Sequence, residues 1–461
     1  MSTSLFIRPS AAHDDTRASG ARGTCVVLGL GATGLSCARH LSAAGFAVLV
    51  LDSRQHPPAA EQLRMEVPNA KMLSGTLDTE LPADTQEIVL SPGLGTDLPL
   101  AARARKLGLP VVGDIELFAR AVQAPVAAIT GSNGKSTVTT MLALMAEAAG
   151  RRVLAGANLG TPALDLLREP TPDLFALELS SFQLEVTASL TPAVAAVLNI
   201  SADHIDRHGS LDAYAAAKSR IYRGARTAVA NRQDPLVMAM VKAHPDVLTF
   251  GMDSPGPGHF GLLGQDAGMQ LARGKDALMP AADLGVSGLH NAANALAALA
   301  IGSALGLEMD PMLQALRDFP GLPHRTQTVA NALQMRWIDD SKATNVGAAM
   351  AAIEGLPGPI LLIAGGDGKG QDFEPLAAAL ADRARAAILL GRDAPILARA
   401  LGDVCPVHLV TDMSEAVDLA ASLGQAGDTV LLSPACSSLD MYTSYAQRGA
   451  AFANAARELT A

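Results

Sequence analysis

The sequence predicts an α/β protein of three domains, each built on a parallel sheet with helices against it. Three observations predict it. The 461 residues fill about three domains at roughly 150 residues each. Short continuous apolar runs alternate with Ala- and Leu-rich helical stretches along almost the whole chain, as expected for strands covered on both faces. Most runs end in Gly, Ser, Asp or Asn, which sets polar turns beyond the carboxyl ends of the strands, where such folds bind ligands.

Taken in order, the strand candidates are 25–30, 47–52, 87–92, 126–130, 174–179, 193–200, 335–340, 360–366, 386–391 and 429–434. One βα series closes near Gly113 and another begins after Pro125; a helical stretch ends near Pro320-Gly321-Leu322-Pro323. These breaks predict domains over 24–113, 114–321 and 322–461. Residues 1–23 lack the apolar core of a signal peptide and read as a flexible tail. The uncharged stretch Asn291–Leu307 is rich in Ala, Gly, Asn and Ser, falls short of the ~20 strongly apolar residues of a membrane span, and reads as a buried helix.

Composition narrows the function classes. With 35 basic and 45 acidic residues the net charge is −10, which argues against a nucleic-acid or anionic-membrane binder. Hydrophobic residues at 49% against 17% charged supply large cores, and aromatics at 3% make those cores aliphatic and leave no base-stacking platform. The four cysteines, Cys25, Cys37, Cys405 and Cys436, form no CxxC pair and read as buried reduced thiols of a soluble, cytoplasmic protein.

The first motif is Gly29-x-Gly31-x-x-Gly34 after a strand, with Asp52 ending the next one. Glycines there permit a tight turn and close approach of a diphosphate to a helix N-terminus. A nicotinamide cofactor, another nucleotide diphosphate, or a turn that only packs helix on strand all fit. The second motif, Thr130-Gly131-Ser132-Asn133-Gly134-Lys135-Ser136-Thr137, lies between a strand and a helix. Backbone N–H groups of such a loop cradle phosphates, Lys135 reaches the β/γ-phosphates, and the hydroxyl of Ser136 or Thr137 holds Mg²⁺. This predicts ATP.

Glu178 ends a strand one βα unit further on, placed to serve Mg²⁺, and Ser180 with Gln183 forms a capping-box pattern. His204 lies between Asp203 and Asp206 and is read either as a ligand or as a structural histidine. Lys218 and Arg220 on a helix read as a surface salt-bridge face. Farther along come Gly321-Leu322-Pro323-His324-Arg325, with an arginine suited to phosphate, then Asp339-Asp340-Ser341-Lys342-Ala343-Thr344-Asn345, Gly365-Gly366-Asp367-Gly368-Lys369 and Ser433-Pro434-Ala435-Cys436-Ser437-Ser438. Such polar turns after parallel strands together make a ligand-reading third domain.

TGSNGKST (130–137), LELSSFQLE (177–185), GLPHRTQ (321–327), DDSKATN (339–345) and SPACSSLD (433–440) resemble the ATP-dependent Mur ligases of peptidoglycan synthesis, over nearly all the chain beyond residue 23. Within that family the chain is similar to the branch that adds D-glutamate to UDP-N-acetylmuramoyl-L-alanine. The Asp-Asn-Pro-Arg signature of the diaminopimelate- or lysine-adding branch is absent, and folylpolyglutamate synthases lack the first domain.

The resemblance implies a Rossmann-like UDP-binding first domain, a P-loop ATPase-type second and a Rossmann-like third. It turns the first glycine motif from NAD to UDP. Gly31, Ala32, Thr33 and Gly34 would face diphosphate, Asp52, Ser53 and Arg54 the uracil, and Ser91, Pro92, Gly93, Asn158, Ser180 and Gln183 the rest of that substrate. Gly131, Ser132, Asn133, Gly134, Lys135, Ser136 and Thr137 would hold ATP phosphates, the Asn291/Asn294 pair the adenine and Asp340 the ribose, with Arg325 bridging phosphates. Lys342, Thr344, Lys369, Ser438 and Tyr445 would hold D-glutamate. Ser136, Glu178, His204 and a carbamylated Lys218 would serve two Mg²⁺ ions, and Lys135, His204, Lys218 and Arg325 would carry the catalysis of a monomeric amide-bond ligase. Position 53 is Ser where the family has Thr, and 445 is Tyr where it has Phe. A sibling ligase adding another amino acid, an NAD-dependent dehydrogenase and a non-catalytic nucleotide switch are the competing readings.

Overall fold

The computed structural model of the protein describes residues 22–265, 268–286, 288–356 and 358–459. The predicted flexible tail lies, up to residue 21, outside the described residues. The chain divides after Val112 into two compact units.

The first unit carries a five-stranded sheet, β1 (Thr24–Leu28), β2 (Ala47–Asp52), β3 (Lys71–Ser74), β4 (Thr85–Leu90) and β5 (Val111–Gly113), in the order β3-β2-β1-β4-β5. β1 is flanked in parallel by β2 and β4 and buried along its whole length. That double coverage is why its sequence is continuously apolar rather than alternating.

The second unit holds two sheets. The nine-stranded one comprises β6 (Val126–Thr130), β7 (Val153–Ala157), β8 (Leu174–Glu178), β9 (Val194–Val197), β10 (Thr227–Asn231), β11 (Val247–Phe250), β12 (Phe260–Leu263), β13 (Gln270–Arg273) and β14 (Asp276–Pro280), ordered β14-β13-β12-β11-β10-β9-β6-β8-β7. Helix Lys135–Ala148 turns Val138, Met141, Leu142 and Met145 into its core at helical spacing and packs on helices Leu289–Ala304 and Met309–Asp318. The stretch read as a buried helix is therefore one, all of Ala295–Gly302 being buried. Among the described residues no helix is long and apolar enough to cross a membrane, and all four cysteines are buried and outside any disulfide.

The six-stranded sheet comprises β15 (Gln327–Ala332), β16 (Met335–Asp339), β17 (Ile360–Gly365), β18 (Ala384–Leu390), β19 (Val407–Leu409) and β20 (Thr429–Leu432), ordered β15-β16-β20-β17-β18-β19. All ten expected strands are present within a few residues. The sheets also carry antiparallel edges that the apolar runs do not announce: β12–β13–β14 and the β15–β16 hairpin. The hairpin turns on Leu333 and Gln334 at φ +53° and +58°, two left-handed residues where glycine or asparagine would have marked the turn.

Candidate active site

In the first unit, the turn after β1 is braced from below. A Cβ at Gly34 would overlap the Gly29 carbonyl oxygen, so the helix can approach the strand only with glycine there. The buried Asp52 accepts from Leu30 N–H at 2.7 Å, from Arg54 N–H at 2.9 Å and from Arg54 Nε at 2.8 Å. The Arg54 hydrogen bond, with the backbone donors, pulls its carboxyl down to about 2 against the cost of burial. Ser91 Oγ donates to Gly29 O at 3.0 Å. Asp52 and Ser91 thus hold the turn's shape, while Ala32, Ser53, Arg54 and Gly93 are exposed, and Gly31, Thr33 and Pro92 half-buried, around it.

In the second unit, β9, β6 and β8 lie side by side, with Ile129 paired to Glu178 and Thr130 to Val197. The loop after β6 therefore emerges between Glu178 on one side and Asn199 on the other. Ser132 N–H donates to Asn199 O at 2.9 Å and Asn133 N–H to Asn199 Oδ1 at 2.8 Å. Gly134, at φ +83°, starts the helix, and a Cβ there would overlap Asn294 Oδ1. Lys135 Nζ folds over the loop onto Gly131 O at 2.9 Å and Ser132 O at 2.8 Å. Ser136 Oγ accepts from Arg325 at 2.9 Å, bringing the GLPHR turn of the later sheet onto the phosphate loop.

Glu178 is buried. One carboxylate oxygen takes Asn158 Nδ2 at 2.5 Å; the other, Oε2, is buried without a hydrogen-bond partner. Burial opposes its ionisation, but the nearby Lys135 charge and the Asn158 hydrogen bond help outweigh that and keep its carboxyl below the usual range. Ser180 and Gln183 form the expected capping box, and the Gln183 amide also donates to buried Asp114 at 2.9 Å. Both side chains of the pair are thereby engaged in structure.

Lys218 is not on a surface face. It is 1% exposed, with Nζ 2.9 Å from Gly131 O and 3.2 Å from Thr130 Oγ1. Burial, reinforced by Lys135, lowers its pKa well below that of a free lysine. His204 sits at φ +55°, edge-on to Phe182 with ring centroids 4.9 Å apart; burial lowers it to about 4, so its imidazole is neutral. Among the described residues no three His, Cys, Asp or Glu side chains gather into a metal cage. What is present suits a hard cation that keeps waters and substrate oxygens as ligands: the unpartnered Glu178 oxygen, the Ser136 hydroxyl and the neighbouring phosphate loop.

A cavity of about 320 Å³ lies between the two sheets of this unit. Asn133, Gly134 and Thr137 line it from the phosphate loop, Asn291 and Asn294 from the buried helix, and Arg325, Asp340 and Lys342 from the later sheet. The residues expected at adenine, ribose and phosphate thus meet in one space. Asp340 accepts from Ser433 Oγ at 2.8 Å and Thr326 N–H at 3.1 Å, and burial lifts its carboxyl to about 7.

At the carboxyl edge of β16, β20 and β17 the three later clusters are neighbours, as the strand order demands. Lys342 Nζ lies 3.9 Å over the Tyr445 ring, and burial with Arg325 nearby lowers its pKa to about 8. Thr344 is half-buried; Ser438 is buried, its carbonyl accepting from Met441 and Tyr442. Lys369 reaches out of this group to Asp203, at 2.8 Å. Two contributors escaped the sequence reading. Arg448, 2% exposed, makes five hydrogen bonds, to Ser341 Oγ and O, Gly365 O and twice to Cys436 O, tying all three loops together. Asn345, within the quoted DDSKATN, caps its helix through Ala348 N–H and touches Asn133.

Comparison with known proteins agrees with this geometry. Family models match in three consecutive stretches: the Mur ligase MurD-like N-terminal domain over 23–113, the Mur ligase middle domain over 129–302 and the Mur ligase glutamate ligase domain over 324–436. The chain is 52% identical over 438 residues to UDP-N-acetylmuramoylalanine--D-glutamate ligase of Nitrosococcus oceani, covering 95% of this chain and 97% of that one. It is 51% identical to the protein of that name in Pseudomonas putida, covering 94% and 96%. Among solved structures, MurF from Acinetobacter baumannii shares the fold at TM-score 0.63 and 20% identity, over 94% of this chain and 93% of that one. UDP-N-acetylmuramate-alanine ligase from Thermotoga maritima does so at 0.61 and 18%, over 95% and 99%. With three consecutive domain models matched and half its residues shared with such relatives over nearly its full length, the chain belongs to the Mur ligase family.

Proposed function

We infer that the protein joins D-glutamate to UDP-N-acetylmuramoyl-L-alanine at the expense of ATP, an amide ligation in peptidoglycan precursor synthesis. The observation that carries this is the identity of about half the residues, end to end, with relatives bearing that activity in their names. An NAD-dependent dehydrogenase would leave the phosphate loop and the C-terminal clusters idle, and is not favoured.

ATP transfers its γ-phosphoryl group to the alanyl carboxylate, giving an acyl phosphate and ADP. The D-glutamate amine attacks the carbonyl carbon, loses a proton, and phosphate leaves. Lys135 and Arg325 sit on the phosphate loop to neutralise the charge that gathers as two anions approach. Gly131 to Thr137 cradle the phosphates, Asn294 reads the base and Asp340 the ribose within the described cavity. Thr130 to Ser136, Glu178, His204 and a carbamylated Lys218 are the surroundings in which two Mg²⁺ would be held, by Ser136, Glu178, His204 and Lys218; the cation supplies charge neutralisation between the reacting anions. Lys342, Thr344, Lys369, Ser438 and Tyr445 hold the amino acid. The glycine turn, Ser53, Arg54, Pro92 and Gly93, with Asn158, Ser180 and Gln183 farther on, serve the UDP substrate. We place the domain boundaries after 113 and 321, and the working form as a cytoplasmic monomer.

Phosphate release from ATP is the test, with Mg²⁺ and UDP-N-acetylmuramoyl-L-alanine present and D-glutamate compared with L-glutamate, L-alanine and diaminopimelate. Release that depends on D-glutamate is expected. Release with another amino acid would move the protein to a sibling activity, and none at all would favour a nucleotide switch.

A further inference from the structure

Lys369 stands in the turn Gly368-Lys369-Gly370 at φ +52°, a conformation an unbranched L-residue adopts only when its surroundings enforce it. Its backbone N–H is pinned by Asp367 Oδ1 at 3.0 Å. Its ammonium is 2.8 Å from Asp203 Oδ1, and both side chains are largely buried, 13% and 9% exposed. Asp203 belongs to the loop after β9, in the sheet of the phosphate loop, so the pair crosses from one sheet's loops to the other's.

The other oxygen of the same carboxylate is occupied as well. Asn345 Nδ2 lies 3.4 Å from Asp203 Oδ2 and 3.0 Å from Asn133 Oδ1, and Asn133 Nδ2 returns a contact to Asn345 Oδ1 at 3.3 Å. Asn133 is a member of the phosphate loop itself, and Asn345 caps the helix Val346–Gly355. A chain of side chains therefore runs from the phosphate loop through Asn345 to Asp203 and ends on the Lys369 ammonium. Burial opposes ionisation of Asp203, yet the Lys369 ammonium beside it keeps its carboxyl below the usual range.

An ammonium carries three donors. Asp203 uses one and fixes the direction of the other two. We propose that Asp203 is a positioning residue for the amino-acid site: it holds Lys369 across the seam, with two N–H groups left for a carboxylate of the incoming amino acid, and it does so only while Asn345 and Asn133 hold the phosphate loop against the later sheet. This rests on the reading that Lys369 binds the D-glutamate carboxylate. It differs from a competing arrangement in which Asp203 acts on the nucleotide or on a cation, because its effect is then felt only through Lys369.

The test is a double-mutant cycle on the full-length enzyme, reading KM for D-glutamate and for ATP from phosphate release. Asp203→Asn, isosteric and without the charge, raises KM for D-glutamate by about tenfold or more, because a buried charge pair has lost one partner, and leaves that for ATP within about threefold. Lys369→Gln raises it at least as far. The double variant is no worse than Lys369→Gln alone, since Asp203 has nothing left to position. Asp203→Glu, keeping the carboxylate, recovers part of the loss. Effects that multiply in the double variant, or an Asp203→Asn enzyme altered only toward ATP, overturn the inference while leaving Lys369 as an amino-acid ligand. An unchanged D-glutamate KM in Lys369→Gln overturns the reading of Lys369, and the inference with it.

Discussion

Lys135 and Lys218 donate to one acceptor: the Gly131 carbonyl oxygen lies 2.9 Å from each Nζ. Two ammonium groups this close oppose each other's charge, and burial, reinforced by Lys135, lowers the pKa of Lys218 well below that of a free lysine and favours its neutral amine. A neutral amine can add to carbon dioxide, losing a proton and becoming a carbamate whose negative charge faces Lys135 favourably. Lys218→Ala is expected to lose most activity and to regain part of it with added acetate or formate. An active Lys218→Ala enzyme, or an inactive one that no short carboxylate restores, would count against carbamylation. Mass spectrometry under native conditions offers an independent reading.

Arg325 reaches Ser136 Oγ from the opposite sheet. Removing a preorganised donor from developing phosphate charge costs on the order of 100-fold in rate. Arg325→Ala is therefore expected to lower kcat by about that factor, and Arg325→Lys to recover little, because an ammonium does not reproduce the planar guanidinium fork that suits phosphate oxygens. Steady-state phosphate release checks both.

Gly134→Ala combines two faults, a left-handed φ and an overlap with Asn294 Oδ1. ATP affinity is expected to fall by about tenfold or more, because the phosphate loop and Asn294, the residue we propose for the base, must both shift. Equilibrium binding of a fluorescent ATP analogue would reveal it. Thermal stability should move much less than binding.

Asp52 gives a pH dependence confined to the first unit. Its carboxyl is held at about 2 when folded against an ordinary 3.8, so the stability it contributes is present above pH 3.8 and disappears as pH falls toward 2. Its partner Arg54 is half exposed, which screens the pair and leaves a contribution on the order of 1 kcal/mol. Asp52→Asn should destabilise the protein at pH 7 and flatten the acid limb of its stability curve. Denaturant melts between pH 2 and 7 would show whether wild type and variant converge at the acid end.

Much of this was readable in the residues themselves. Parallel strands buried on both faces announce themselves by continuous apolar runs, and the polar turns that end them carry the chemistry. What stayed hidden has physical reasons. The β15–β16 hairpin turns on Leu333 and Gln334, so no turn residue marks it. Lys218 on an Ala-rich helix looks like any solvated lysine until the fold buries it. Asp203 and Lys369 are 166 positions apart, and only the closure of two sheets on each other joins them. Arg448 lies in the helix Tyr445–Glu458, whose sequence gives no sign that its guanidinium points inward.

That guanidinium has an evolutionary consequence. Because it gathers carbonyls and a hydroxyl from the carboxyl ends of β16, β17 and β20 at once, the three turns that leave them cannot drift independently; a backbone change in one is felt by the others. With the amino acid held as we propose, a new preference can therefore be acquired cheaply only by exchanging side chains that the arginine does not hold, such as those at 344, 369 and 445. Grafting a single loop from a sibling enzyme should fail where transplanting the loops together with the Tyr445–Glu458 helix succeeds.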